Sequence, residues 1–147
     1  MGAWIMEPRL SVVTLGVANL ARSRSFYETL GWKVASERTA AQIVTFNLNG
    51  IGLALFPVAE LAEDAEVLPE VPAFRGVTLA HNVRTREEVA PLLKEAEDAG
   101  GRIVKQAKDT AWGGHAGYFA DLDHHLWEVS WNPSSPLDED GNFHWQE

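Results

Sequence analysis

The chain has 147 residues, 12 Lys and Arg against 21 Asp and Glu for a net charge of −9, and no cysteine. That length fits one compact domain or two small halves sharing a core, and such a chain buries about 70% of its unfolded surface without disulfides or a structural metal. The missing thiols exclude zinc-thiolate sites, iron–sulfur clusters, thiol catalysis and a disulfide framework, and the acidic balance argues against nucleic acid, whose phosphates need Lys and Arg.

Leu10–Val17 is rich in β-branched residues and reads as a strand. Asn19 offers an N-cap for a helix over Leu20–Leu30, closed by Gly31. Trp32–Arg38 reads as a second strand. Ile43–Leu48 and Ile51–Pro57 read as a hairpin around Asn49-Gly50. Val58–Ala73 carries Glu60, Glu63, Asp64, Glu66, Glu70 and two prolines, which predicts one short helix, a linker and a solvated acidic face. Val77–Val83 is a strand, and Thr85-Arg86-Glu87-Glu88 is a capping box for a helix ending at Gly100-Gly101. Arg102–Gln106, Gly117–Asp121 and His125–Trp131 complete the strands, the last two joined by a tight turn at Asp121–His124.

Each half therefore reads β-α-β-β-β. Val13-Thr14-Leu15 recurs as Val77-Thr78-Leu79 at the same place in the unit, which points to an internal duplication. The units span 10–57 and 76–133, with the acidic linker at 58–75 and a polar tail at 134–147. Phe143 and Trp145 predict that the tail docks on the domain. No stretch approaches the roughly 20 apolar residues of a membrane span. Met1–Pro8 lacks a basic targeting region, so the cytoplasm is the expected location.

VANLARSRSFYETLGW in the first unit and GYFADLDHHLWEVSWNP in the second make the chain resemble the vicinal oxygen chelate superfamily. That group includes glyoxalase I, extradiol dioxygenases, fosfomycin-resistance proteins and bleomycin-binding proteins. The resemblance implies an α+β fold of two tandem βαβββ modules, a curved, barrel-like mixed sheet with helices outside. It implies a small-molecule ligand between the halves, paired within one chain or across a homodimer.

The family's metal enzymes place His on the first strand, Glu on the fourth, His on the fifth and Glu on the eighth. The matching positions here are Val12, Ala54, Thr78 and Glu128, so one ligand of four is retained. Residues two places away, Leu10, Thr14, Gly76 and Ala80, supply none. A single carboxylate lacks the ligand count of zinc or magnesium sites. No cofactor is expected, and zinc, nickel or iron would need unusual ligands or ligands from a second chain.

Strand alternation assigns the faces. Val13, Leu15, Val17, Leu53, Leu55, Val77, Leu79, Trp127, Val129 and Trp131 should face the helices. Val12, Thr14, Gly16, Ala54, Phe56, Thr78, Ala80, Glu128 and Ser130 should face the cleft. A two-residue hairpin loop pairs Thr45 with Ala54 and adds Asn47. A four-residue turn at Asp121–His124 pairs Phe119 with Leu126, Gly117 with Glu128 and His115 with Ser130. The family's Asp-Pro-Asp-Gly turn appears as Asp121-Leu122-Asp123-His124, which leaves His124 to take any φ > 0 position.

The candidate ligand-binding set is thus Thr14, Thr45, Asn47, Phe56, Thr78, Phe119 and Ser130. Trp112 and His115, on the glycine loop Trp112-Gly113-Gly114-His115, read either as a mobile lip over a ligand or as a surface loop whose Trp packs on the tail. In the bleomycin-binding relatives a similar Trp-Gly element stacks on the planar part of the drug. Glu128 is the catalytic candidate, as general base or as anchor for a cationic group. Its other reading is a family relic satisfied by the hydroxyl of Thr14 or Thr78. His81 reads as a boundary histidine, His124 and His125 as turn residues, and Trp32, Trp127 and Trp131 as packing. Two functions follow. One is metal-independent binding of an aromatic or cationic compound. The other is a glyoxalase-like lyase, isomerase or dioxygenase-type enzyme using Glu128 with a non-standard or in-trans metal.

Overall fold

The computed structural model describes residues 6–69 and 74–146, so Trp4, Glu70 and Pro72 lie outside the described residues. The chain runs β1 (Val12–Val17), α1 (Leu20–Thr29), β2 (Val44–Asn47), β3 (Gly52–Pro57), α2 (Val58–Asp64) and β4 (Leu79–Asn82). A 3₁₀ turn (Arg86–Glu88) then leads into α3 (Val89–Asp98), followed by β5 (Arg102–Asp109), β6 (His115–Ala120) and β7 (Leu126–Trp131). These elements make an α+β fold with two mixed sheets, ordered β1-β3-β2 and β4-β7-β6-β5. In each sheet the first and last strands of a sequence half lie side by side and parallel, β1 with β3 and β4 with β7.

Local chemistry places most of the ends. The Asn19 side chain accepts from the Arg22 N–H and caps α1. Thr85 and Glu88 complete a reciprocal capping box. Gly50, at φ 75°, turns the hairpin and sets Thr45 opposite Ala54, as expected.

Trp32–Arg38 is not a strand; Val34 alone bridges Phe46. The segment is tied to α1 instead. The Trp32 ring stacks on Tyr27 with centroids 5.6 Å apart, and Arg24 of α1 binds Glu37 through two hydrogen bonds. The first half therefore contributes three strands, and the fourth, fifth and eighth strands of the expectation are β3, β4 and β7.

The alternation predicted for the helix-facing sides holds for Leu15, Val17, Leu53, Leu55, Trp127 and Val129, all buried, but not for Val77, which is exposed because the strand begins only at Leu79. Burying such a side chain stabilises by about 1.5–3 kcal/mol. Both sheets contribute to one core. Tyr27 of α1 meets Phe46 of β2 at 6.0 Å and Trp127 of β7 at 6.3 Å between ring centroids. Phe26 meets Phe119 of β6.

The β6–β7 turn fastens the two halves together. Asp123 accepts from the Ala18 N–H and the Ser23 hydroxyl, both at 2.8 Å, and so helps cap α1 from across the sequence. The Tyr27 hydroxyl donates to Asp121 at 2.6 Å, and His125 Nε2–H donates to the Gly16 carbonyl at 2.8 Å.

Candidate functional site

The geometry of the site starts in that turn. The His124 N–H bonds the Asp121 carbonyl at 3.2 Å, and the Asp121 N–H bonds the His125 carbonyl at 3.0 Å. His124 takes the left-handed position at φ 67°, as its place in the motif predicts. Ala120 pairs with Leu126, one register step away from the four-residue turn expected. The reason is that a type I turn followed by a left-handed residue adds one residue to the connection.

One step of register exchanges the faces of β6. Phe119 pairs with Trp127 and lies buried against it, rings stacked at 6.2 Å, so it belongs to the helix-side core. His115 pairs with Trp131, and its Nδ1 sits 2.9 Å from Asp109, which also binds Arg86 at 2.9 Å. Tyr118 takes the place opposite Glu128. Its phenol pKa is raised first by desolvation and then by the charge of Glu128 and a hydrogen bond with it. The hydroxyl beside Glu128 is thus that of Tyr118, not of Thr14 or Thr78.

Glu128 is half-buried and lines a cavity of about 1250 Å³. Four parts of the chain form its walls: the β4 edge from Ala80 to Arg84, Glu128 and Ser130 of β7, the β2–β3 hairpin tip from Asn47 to Asn49, and the tail. Trp112 closes one side. Among the described residues Glu128 has no Lys or Arg ion-pair partner. Arg84, Glu88 and His81 also line it, and the neutral polar lining is amide and hydroxyl, with Asn47, Asn82, Asn132, Asn142 and Ser130. Glu88 is engaged by Thr85 and Arg84 by tail carbonyls, which leaves Glu128 as a carboxylate among neutral hydrogen-bonding groups.

Trp112 is held over the cavity by its own loop. Gly113 sits at φ 91°, and a Cβ on Gly114 would collide with the Trp112 ring and the Trp131 carbonyl. The loop is a hydrogen-bonded turn, in which Gly114 N–H donates to the Thr110 hydroxyl at 2.9 Å.

The tail docks, as its aromatic residues predict. Asn49 Nδ2 donates to the Asp140 carbonyl at 2.7 Å, and Arg84 donates to the Asp138 carbonyl at 3.0 Å. Asp138 folds the tail by accepting from the Asn142 and Asp140 N–H groups and contacting His144 at 2.9 Å. Those bonds, with the Asn142 N–H first and then His144, hold its carboxyl below the usual carboxylate range. Phe143 and Trp145, edge to face at 4.8 Å, complete the cavity wall.

Of the predicted site residues, the structure brings Asn47, Trp112, Glu128 and Ser130 to this cavity. Thr14, Thr45 and Phe56 lie on the first sheet and do not line it, and Thr78 lies exposed just before β4. Val12 is 52% exposed. Ala54 pairs with Thr14 and is buried; α2 packs against β1 and β3 on the Gly16 side, where Val58 leaves no room for a Cβ. Glu128 pairs with Ala80. The residues opposite and two places along are Val12, Thr14, Gly16, Gly52 and Phe56 at the first pair and Thr78, Ala80, Asn82, Leu126 and Ser130 at the second; none is a His or a carboxylate, and that donor set does not fit a divalent metal.

His81, Tyr118 and Trp145 are the site residues that alternation misses, whereas Asn82 follows Thr78 and Ala80 on the cleft face. His81 belongs by alternation to the helix side, but β4 is an edge strand and its side chain reaches the cavity from there. Desolvation holds its imidazole below the usual histidine range. The tail aromatics were legible as a docking signal only, since nothing local to them names the surface they meet.

The model of the glyoxalase/bleomycin resistance protein/dioxygenase superfamily matches residues 9–129. A glyoxalase-related enzyme from Fulvimarina pelagi is similar at 36% identity and TM-score 0.88, over 95% of this chain and 99% of that one. A glyoxalase/bleomycin resistance protein/dioxygenase from Nocardioides is 23% identical, TM-score 0.72, over 98% and 92% of the two chains. Lactoylglutathione lyase from Agrobacterium tumefaciens is 19% identical, TM-score 0.65, over 86% and 96%. Among curated proteins, none matches the sequence. No described helix is long and apolar enough to cross a membrane.

Proposed function

We propose, for a chain that belongs to the glyoxalase/bleomycin resistance protein/dioxygenase superfamily, a function as a metal-independent binding protein that sequesters a small aromatic or cationic compound. One observation carries this reading: Glu128, with no cationic side chain paired to it among the described residues, faces a cavity of about 1250 Å³ that Trp112 and Trp145 also line. Indole faces attract planar and cationic groups, and a carboxylate in a partly apolar site favours a positive partner. The net charge of −9 adds long-range attraction for cations. The residue types opposite and near Glu128 support metal independence, since they supply no further ligand.

A thermal-shift and fluorescence screen with planar cationic antibiotics tests this. Saturable binding is expected, weakened about tenfold or more in Glu128→Gln, in line with a charge-assisted hydrogen bond. Stoichiometric zinc, nickel or iron in protein purified without chelator would overturn the metal-free reading. Equal binding by wild type and Glu128→Gln would overturn the role of Glu128 as the anchor for a cation.

A second reading has its own support. The Fulvimarina relative is described as an enzyme, and Tyr118 beside Glu128 forms an acid–base pair of the kind a lyase or isomerase uses. In that reading Glu128 is the base, and any metal takes ligands from a second chain. A homodimer belongs to both readings. Strands β1 and β4 each leave one edge unpaired, and Leu10, Val12 and Val77 beside those edges are 65%, 52% and 64% exposed. Sedimentation analysis is expected to give twice the monomer mass.

A further inference from the structure

A second, smaller pocket lies on the other side of the β4 edge. It has a volume of about 140 Å³. Tyr27, Trp32, Phe119 and Trp127 form its aromatic walls, Leu30 and Leu92 its aliphatic ones, and His81 its one ionisable side chain besides the Tyr27 phenol. Three of these residues, Trp32, His81 and Trp127, also line the large cavity, so the pocket is a side chamber of it.

Interiors are close-packed, and voids larger than a water molecule are few. An apolar cavity near 150 Å³ takes up benzene, and this pocket is close to that size, though open to solvent at its His81 end. Its walls are already organised. Trp32 and Trp127 meet edge to face at 5.7 Å, and Phe119 stacks on Trp127 at 6.2 Å. The polar groups of two walls are occupied. The Tyr27 hydroxyl donates to Asp121 at 2.6 Å and accepts from Trp127 Nε1 at 3.1 Å. His81 makes no hydrogen bond with another side chain among the described residues that would occupy it, and burial disfavours its charged form. The pocket therefore offers aromatic faces and one neutral hydrogen-bonding group.

We infer that this side chamber is a second binding site, which takes a compact neutral aromatic ring carrying at most one hydrogen-bonding substituent, such as a phenol. The ring lies among Tyr27, Trp32 and Phe119, and its substituent meets His81. A ligand with two parts, one cationic and one a neutral ring, would occupy both cavities across the Trp32–Trp127 pair. The site does not depend on Glu128 and so stands apart from the function proposed above.

Phenol is the probe, titrated into the full chain and followed by tryptophan fluorescence and saturation-transfer NMR. Saturable binding is expected in the wild type and in Glu128→Gln alike. Leu92→Phe, which fills the chamber from the half-exposed side of α3, should weaken it at least tenfold. Leu30→Phe fills it from α1 and serves if Leu92→Phe does not fold. Absence of saturable binding to the wild type overturns the inference. Equal binding by wild type and a folded filling variant overturns it too. Loss of phenol binding in Glu128→Gln would place the probe in the large cavity and overturn it as well.

Discussion

Tyr118 stands directly across the β6–β7 pair from Glu128, and its phenol titrates above the ordinary tyrosine range because of desolvation and the facing carboxylate. Glu128→Gln removes the carboxylate's charge but not the burial. The Tyr118 titration, followed by ultraviolet absorbance, is expected to move down in that variant without reaching the value of a free tyrosine. No movement would show that the two groups do not interact.

Tyr27 is the buried counterpart. Burial first, then the charge of Asp121 and the bond to it, raises its pKa well above that of a free tyrosine. The neutral phenol is the form the native state holds, so this contribution to stability is full below the unfolded pKa of about 10. It is lost as pH rises through the higher folded value. The unfolding free energy is expected to fall above pH 10, less steeply in Tyr27→Phe. At neutral pH that variant should lose about 1–3 kcal/mol in urea unfolding, because Asp121 and the Trp127 N–H lose their partner.

Asp123 is a capping residue supplied from the opposite half of the sequence. Asp123→Ala removes the acceptor of the Ala18 N–H and the Ser23 hydroxyl. A loss of about 1–2 kcal/mol is expected, with faster amide exchange at the start of α1 and little change at α3. Uniform loss of protection over both helices would contradict a local capping role.

Arg84 holds the tail through the carbonyls of Asp138 and Glu139, at 3.0 and 3.4 Å. Arg84→Ala is expected to change global stability by less than about 1 kcal/mol, since these bonds are solvent-exposed. Limited proteolysis after residue 132 should become faster, and binding of a cation in the large cavity weaker, because Trp145 forms part of that wall. Unchanged proteolysis would show that Asn49 holds the tail without Arg84.

Much of this molecule is local chemistry that its sequence spells out. Asn19, the Thr85–Glu88 box and Asn49-Gly50 each act within a few residues, and each did what its type predicts. The buried side of β1, β3 and β7 followed from alternation, because Leu15, Leu53 and Val129 have no other way to leave water. His124 took its left-handed position for the same kind of reason.

The site depended on longer-range facts. Whether Trp32–Arg38 pairs with β2 was decided by Arg24 and Tyr27, which bind that segment from α1. Whether Phe119 or Tyr118 faces Glu128 was decided by one residue of turn length, which no hydrophobic pattern encodes when both neighbours are aromatic. His81 reaches two cavities because β4 is an edge, and Trp145 lines one because the tail bonds Asn49 and Arg84. Sequence alone determined the fold, the helix caps and Glu128 as the one carboxylate at a family ligand position. Tertiary structure decided which side chains stand beside that carboxylate, since pairing register and edge exposure come from contacts between residues far apart in the chain.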